Sequence, residues 1–385
     1  MLNFDFYNPT RIVFGTDTIA QLAELVPPQA RVLILFGGAS AEKTGTLAEV
    51  RAALGERTVH EFGGIEPNPS FETLMRAVEQ VHSERIDFLL AVGGGSVIDG
   101  TKFVAAAANY DGDAWNIMLD GGASITSALP FGSVLTLPAT GSEMNNGGVV
   151  TRKASHTKLP FRSAHVFPRF SVLDPTKTYT LPARQLANGL VDAFVHIAEQ
   201  YLTYPAHALP QDRFAEGLLQ TLVEIAPQVL GETADYDSRS NLVWTATLAL
   251  NGLIGAGVPQ DWATHMIGHE LTALYDIDHA RTLAIVLPAL LHVQRDSKRA
   301  KLLQYGQRVW GITSGSDDER VDAAIDATRH FFESVGMPTR LSGYELGADA
   351  IDAVLAQLEA HGMTALGEHG DVDLALSRRI LQAAL

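Results

Sequence analysis

Asp192 and His196 lie four residues apart in the apolar run Gly-Leu-Val-Asp-Ala-Phe-Val-His-Ile-Ala, residues 189–198, and on a helix they would share one face. A carboxylate among apolar side chains is costly unless it is paired or holds a cation. Taken alone, the pair reads as a buried Asp–His hydrogen bond, as an Asp on the wet side of an amphipathic helix, or as two metal ligands. A second cluster shifts the balance. His265 and His269 are again one helical turn apart, and His279 follows in what reads as a loop. A zinc-hydrolase helix places Glu directly after the first His as general base, and here that position is Met266. Asp192, His196, His265 and His279 together make a one-carboxylate, three-imidazole set. Such a set suits Fe2+ or Zn2+.

The elements that must present these groups differ between the two halves of the chain. In the first half, Arg31–Phe36 reads as a buried strand ending in Gly37-Gly38, and residues 73–83 carry apolar groups at helical spacing. Residues 86–92 form a second apolar run ending in Gly93-Gly94-Gly95-Ser96. Residues 133–137 form a third, ending in Pro138-Ala139-Thr140-Gly141-Ser142. Near-continuous apolar strands separated by helices indicate a parallel sheet covered on both faces. Ligands of such sheets bind at the carboxyl ends of the strands, where these three polar turns fall. After about residue 180 strand-like runs give way to amphipathic segments at 182–202, 212–230, 238–254, 262–275, 317–335 and 348–361. The chain therefore reads as an α/β dinucleotide-binding domain over 1–180, followed by an all-helical metal-binding domain over 181–385.

The turn at 93–96 precedes a helix start. Ser96 could cap that helix, with Asp99 three residues on completing a capping-box-like arrangement. Its glycines would let a pyrophosphate approach the backbone at the helix N-terminus. The run is not Gly-x-Gly-x-x-Gly, since Ile98 holds the last position, and a purely structural glycine turn is the competing reading. At 37–40 the nearby residues are Ala39 and Ser40, with Lys43 beyond. No acid is read there to accept a ribose 2′-hydroxyl, while a hydroxyl and an ammonium suit a 2′-phosphate, so NADP(H) is expected over NAD(H).

A formal charge of −16 argues against nucleic acid and against anionic membrane surfaces. The absence of cysteine excludes disulfides, thiolate nucleophiles and sulfur-ligated metals. The opening Met1-Leu-Asn-Phe-Asp-Phe does not read as a signal peptide. The longest apolar stretch, 282–293, contains Pro288 and is too short to span a bilayer. A cytoplasmic protein is the expectation.

The three glycine-rich turns, Pro67-Asn68-Pro69, the run Thr136 to Glu143, Asp192-x-x-x-His196 and His265-x-x-x-His269 with His279 occur in this order along the chain. In that combination the chain resembles the iron-containing alcohol dehydrogenases, most closely their NADPH-dependent aldehyde reductase and butanol dehydrogenase branch. The resemblance covers essentially the whole length. It implies a Rossmann-like N-terminal domain, a helical C-terminal domain, a homodimer, and a metal that polarises the carbonyl oxygen of a small aldehyde or alcohol substrate. It also implies Asp192, His196, His265 and His279 as metal ligands, with His269 beside the nicotinamide as candidate proton relay. Gly38, Ser40 and Asn68 would face the adenosine end of the cofactor. Gly94, Gly95, Ser96 and Asp99 would cradle the pyrophosphate, and Thr136, Thr140 and Ser142 would line the nicotinamide side, with Lys158 and Tyr179 nearby. The family's longer Pro-Thr-Thr-Ala-Gly-Thr-Gly-Ser-Glu turn is shortened here to Pro-Ala-Thr-Gly-Ser-Glu. A glycerol or other polyol dehydrogenase and a dehydroquinate synthase-like lyase share the architecture. The Ala39-Ser40 pair speaks against the first, and the scarcity of basic residues near Asp192 and His265 against the second.

Overall fold

Residues 1–155 and 157–385 are described by the structure, a computed structural model. Among them, six parallel strands make one sheet in the order β1-β8-β5-β4-β2-β3. These are β1 (Arg11–Phe14), β2 (Arg31–Phe36), β3 (Thr58–Phe62), β4 (Phe88–Gly94), β5 (Phe131–Leu137) and β8 (Phe170–Leu173). An antiparallel pair, β6 (Gly147–Arg152) and β7 (Thr157–Arg162), stands outside it.

Strands β2, β4, β5 and β8 are buried almost end to end, because both faces of the sheet are covered. Alternate side chains feed two cores. Leu33, Leu35, Leu89 and Ala91 join one, and Val32, Ile34, Phe88 and Leu90 join the other. Fully burying each of the larger side chains contributes roughly 1.5–3 kcal/mol, so the central strands anchor the turns at their ends. The chain leaves β2 for β3 on one side and β4 for β5 on the other. The strand order therefore reverses between β2 and β4, where doubly wound sheets bind ligands.

The helices Ala183–Tyr201, Leu209–Val229, Tyr236–Ala249, Ala263–Tyr275, Asp317–Ser334 and Asp349–Ala360 occur where sequence periodicity expects them. Three details differ. The segment read as 238–254 stops at Ala249, with Gly252 at φ +91° soon after. The apolar stretch 282–293 is part of a helix, His279–Val293, with Pro288 inside it, so His279 opens a helix and does not sit in a loop. Strands β1, β3 and β6 to β8 were not read from the sequence. They are short or half-exposed and carry a weak period.

The chain divides into two compact units. One contains Tyr7–Leu181 with Ala234–Thr247, and the other Met1–Phe6, Pro182–Thr233 and Leu248–Leu385. In the first, the 236–247 stretch is fixed to its unit by Val243 in the apolar core, Arg239 donating to Thr178 O at 2.8 Å, and Thr247 donating to Glu143 at 2.5 Å. Among the described residues no helix is long and apolar enough to cross a membrane.

Candidate metal and cofactor sites

The Ala183–Tyr201 helix is buried from Leu186 to its end and puts Asp192, His196 and Glu199 on one face at i, i+4 and i+7. The Ala263–Tyr275 helix brings His265 and His269. Its N-cap, Trp262, has a left-handed φ of +63° and no capping side-chain bond. Asp261 and Glu199 do that work instead: Asp261 Oδ1 accepts from Ala263 N at 3.0 Å, and Glu199 Oε1 accepts from Thr264 N at 2.7 Å. His279, first residue of the next helix, follows Asp278, which Arg184 Nε and Asn188 Nδ2 hold at 2.8 and 2.9 Å.

The ligand atoms of Asp192, His265 and His279 lie within 4.8 Å of one another. Asp192 Oδ1 is 3.9 Å from His265 Nε2, 3.7 Å from His279 Nε2 and 3.6 Å from His196 Nδ1. These spacings exceed a hydrogen bond. They approach the roughly 3.4 Å edge expected for tetrahedral ligands bonded at about 2.1 Å to one ion. The donor set therefore fits a divalent first-row ion. His196 flanks the three, its ring stacked on His265 with centroids 4.6 Å apart. Burial pushes the His196 imidazole down to about 4, against the raising influence of Asp192, so it is neutral at pH 7. His269 is buried on the same helix, with its ring 5.0 Å from that of His279.

Sequence reasoning missed Glu199, although the spacing Asp-x-x-x-His-x-x-Glu carried the signal. Its carboxylate contacts His265 Nδ1 directly. Burial, and then the Asp261 charge, push the Glu199 carboxyl well above its ordinary range.

In the other unit the strand ends line up. Gly38 and Ser40 follow β2, Gly94 ends β4 and Gly95 follows it, Thr140 and Ser142 follow β5, and Tyr179 follows β8 after the turn Pro175–Thr178. At about 4.8 Å per neighbouring strand, this row spans about 14 Å along one edge of the sheet. Thr136 lies on β5 itself. The glycines at β4 have a packing reason: a Cβ at Gly95 would stand 2.5 Å from Thr140 Cγ2, and one at Gly93 2.6 Å from Val97 Cγ2. Asn68, with φ +55°, donates from its N to Ser96 Oγ at 3.3 Å, and its Oδ1 accepts from Lys158 Nζ at 2.9 Å.

Ser96 does not cap the following helix. The helix Gly95–Ala107 begins two residues earlier than a Ser96 cap would give, with Gly94 as N-cap and no side-chain cap, a first turn suited to an anion. Asp99 forms no capping box. It accepts from Ser142 Oγ at 2.5 Å and Val149 N at 3.0 Å. Lys102, also missed, is fully buried and donates to Ser142 Oγ, Asn145 Oδ1 and Gly147 O at 2.8, 2.8 and 2.7 Å. Burial lowers this ammonium to about 8, against the pull of Asp99 and Glu143. Burial also raises Asp99 and Glu143.

At the β2 end a carboxylate is present after all. Glu42, on the short helix Ser40–Lys43, is ion-paired at 2.9 Å with Arg51, which also grips Glu61 at 2.6 Å. The guanidinium neutralises the acid that the sequence reading passed over.

The family described as iron-containing alcohol dehydrogenase matches residues 9–175, and its C-terminal counterpart, the Fe-containing alcohol dehydrogenase family, matches 186–368. The chain is 62% identical, over the full length of both proteins, to the NADPH-dependent aldehyde reductase YqhD of Escherichia coli (strain K12). The substrate- and cofactor-free structure of that E. coli aldehyde reductase superposes with a TM-score of 0.94 at 61% identity, covering 100% of each chain. A structure of the NADH-dependent butanol dehydrogenase A of Thermotoga maritima gives a TM-score of 0.95 at 34% identity, covering 100% of this chain and 99% of that one.

Proposed function

The chain belongs to the iron-containing alcohol dehydrogenase family, and from this we propose that it reduces small aldehydes to alcohols with NADPH at a divalent metal. The observation that carries the reading is the convergence of Asp192, His265 and His279 on one buried point. With His196 beside them, these residues would hold Fe2+, or Zn2+ in its place. The ion supplies Lewis acidity toward a carbonyl oxygen, and NADPH supplies hydride.

The protein's own groups do the rest. Asp192 offsets part of the ionic charge, and His196 is already neutral, the form a ligand needs. His269 is placed to hold or hand on the alcohol proton. The first turn of the Gly95–Ala107 helix, with Gly94, Gly95, Ser96 and Asp99 around it, receives the pyrophosphate. Thr136, Thr140 and Ser142 line the nicotinamide side, with Tyr179 near the cofactor. Lys158 holds Asn68 toward the adenosine end. Gly38, Ser40 and Lys43 take the 2′-phosphate, with Glu42 withheld by Arg51. NADPH is favoured over NADH because the relative at 62% identity is named NADPH-dependent, whereas relatives named NADH-dependent stand at 34–41%.

We also place the protein in the cytoplasm as a homodimer. Leu2, Phe4, Phe6 and Tyr7 support the dimer: each is 43–65% exposed, an apolar row open to a second copy.

The test is NADPH oxidation with butanal by chelator-stripped protein, before and after Fe2+ is added back. Activity that appears only with metal is the expected outcome. No turnover in either sample, with turnover of glycerol and NAD+ instead, would replace this reading by the polyol dehydrogenase one.

A further inference from the structure

We propose that Glu199 is a positioning residue of the metal centre, holding His265 in the tautomer that turns Nε2 toward Asp192, and that Lys298 secures this arrangement through Asp261. The inference rests on the ligand set proposed above.

His265 has two ring nitrogens, and the structure gives each a different neighbour. Nδ1 contacts Glu199 Oε2, while Nε2 faces Asp192 Oδ1 at 3.9 Å. A dication at the site would favour the ionised form of Glu199, which only accepts; the proton then sits on Nδ1, and Nε2 turns toward Asp192 and the ion. Glu199 also fixes the backbone that carries the ring. Its Oε1 accepts from Thr264 N at 2.7 Å, and its carbonyl accepts from Asp261 N at 2.9 Å.

Lys298 extends the clamp. Its ammonium is buried and reaches Asp261 Oδ2 at 2.9 Å, Glu368 at 2.7 Å and Leu202 O at 2.8 Å. Leu202 caps the helix bearing Asp192, and Asp261 secures the first turn of the helix bearing His265. One side chain thus ties the C-terminal end of the helix bearing Asp192 to the N-terminal end of the helix bearing His265. Glu199, Asp261 and Glu368 are all buried around this single ammonium. A purely structural cluster is better served by apolar groups or balanced charge. An excess of buried carboxylate is stabilised by a dication next to it.

The experiment measures metal affinity by chelator competition on wild type and Glu199→Gln, with melting of the metal-free proteins and NADPH binding as controls. The amide keeps the size and an acceptor for Thr264 N. Affinity is expected to fall roughly 10–100-fold, as for outer-shell partners of metal-bound histidine. NADPH binding should be unchanged, and the metal-free melting temperatures close. Equal affinity in the two proteins overturns the proposal, as does a drop in metal-free stability with affinity intact. If wild type holds no metal, the ligand set fails instead. Nitrogen NMR of metal-free wild type then decides on its own: a proton on His265 Nδ1 supports the role and a proton on Nε2 overturns it, whether or not the variant folds.

Discussion

His269 shares with His265 both a helix and a neighbour, His279: its ring stands 5.0 Å from that of His279 and 6.2 Å from that of His265. A group beside the ligands can serve the proton that an alkoxide must gain. His269→Ala is expected to lower turnover by about 10²–10⁴-fold and flatten the pH–rate profile near neutrality. Steady-state kinetics from pH 6 to 9 check this, and an unchanged profile with full turnover would remove the relay role. At this scale much of the site was legible. Asp192 and His196 stand out because polar groups in an apolar run need a reason, and His265, His269 and His279 because three histidines fall within fifteen residues. Glu199, Lys102 and Arg51 did not, since a charged residue on a helix ordinarily faces water. Only tertiary packing shows Lys102 buried and Arg51 turned onto Glu42.

The helix Gly95–Ala107 shows how one element serves two turns. Its N-terminus faces the strand ends, while Asp99 and Lys102, one and two turns further in, hold Ser142, Asn145, Gly147 and Val149 in place. Lys102→Met would leave three acceptors without their donor and should destabilise the protein by about 2–4 kcal/mol, read from denaturant unfolding. The pH dependence of that loss has a definite sign. The folded-state pKa of about 8 lies below the ordinary 10.5, so between those values the unfolded chain binds more protons and wild type gains stability as pH rises. The gap between wild type and Lys102→Met should therefore widen from pH 8 to 10.5, by on the order of 3 kcal/mol. A gap that stays constant would show that Lys102 does not titrate there. The central strands were legible because they are apolar throughout. The capping role read for Ser96 was not correct, because Gly94 already occupies the cap and the serine turns to Asn68 instead.

For the whole molecule, the exposed apolar row at Leu2, Phe4, Phe6 and Tyr7 predicts a particle of twice the chain's 41.4 kDa in sedimentation. Truncating the first seven residues should shift it toward monomer; an unaffected dimer would move the interface elsewhere. The change from strand-like to helical segments pointed to two domains but could not show how the chain shares itself between them. The α/β unit takes in Ala234–Thr247, and the helical unit takes in Met1–Phe6. Strand β1 waits for β8, its parallel partner some 160 residues later. This order has a consequence during synthesis. When residue 181 leaves the ribosome, the α/β unit still lacks its last helical stretch. At about 5–20 residues per second, the next 66 residues take roughly 3–13 s to arrive. For that interval a nearly finished sheet stands with part of its apolar cover missing, including Val243. A nascent chain stalled in this window is the form most in need of a chaperone, and a gene cut there would yield two fragments that each lack a piece made by the other.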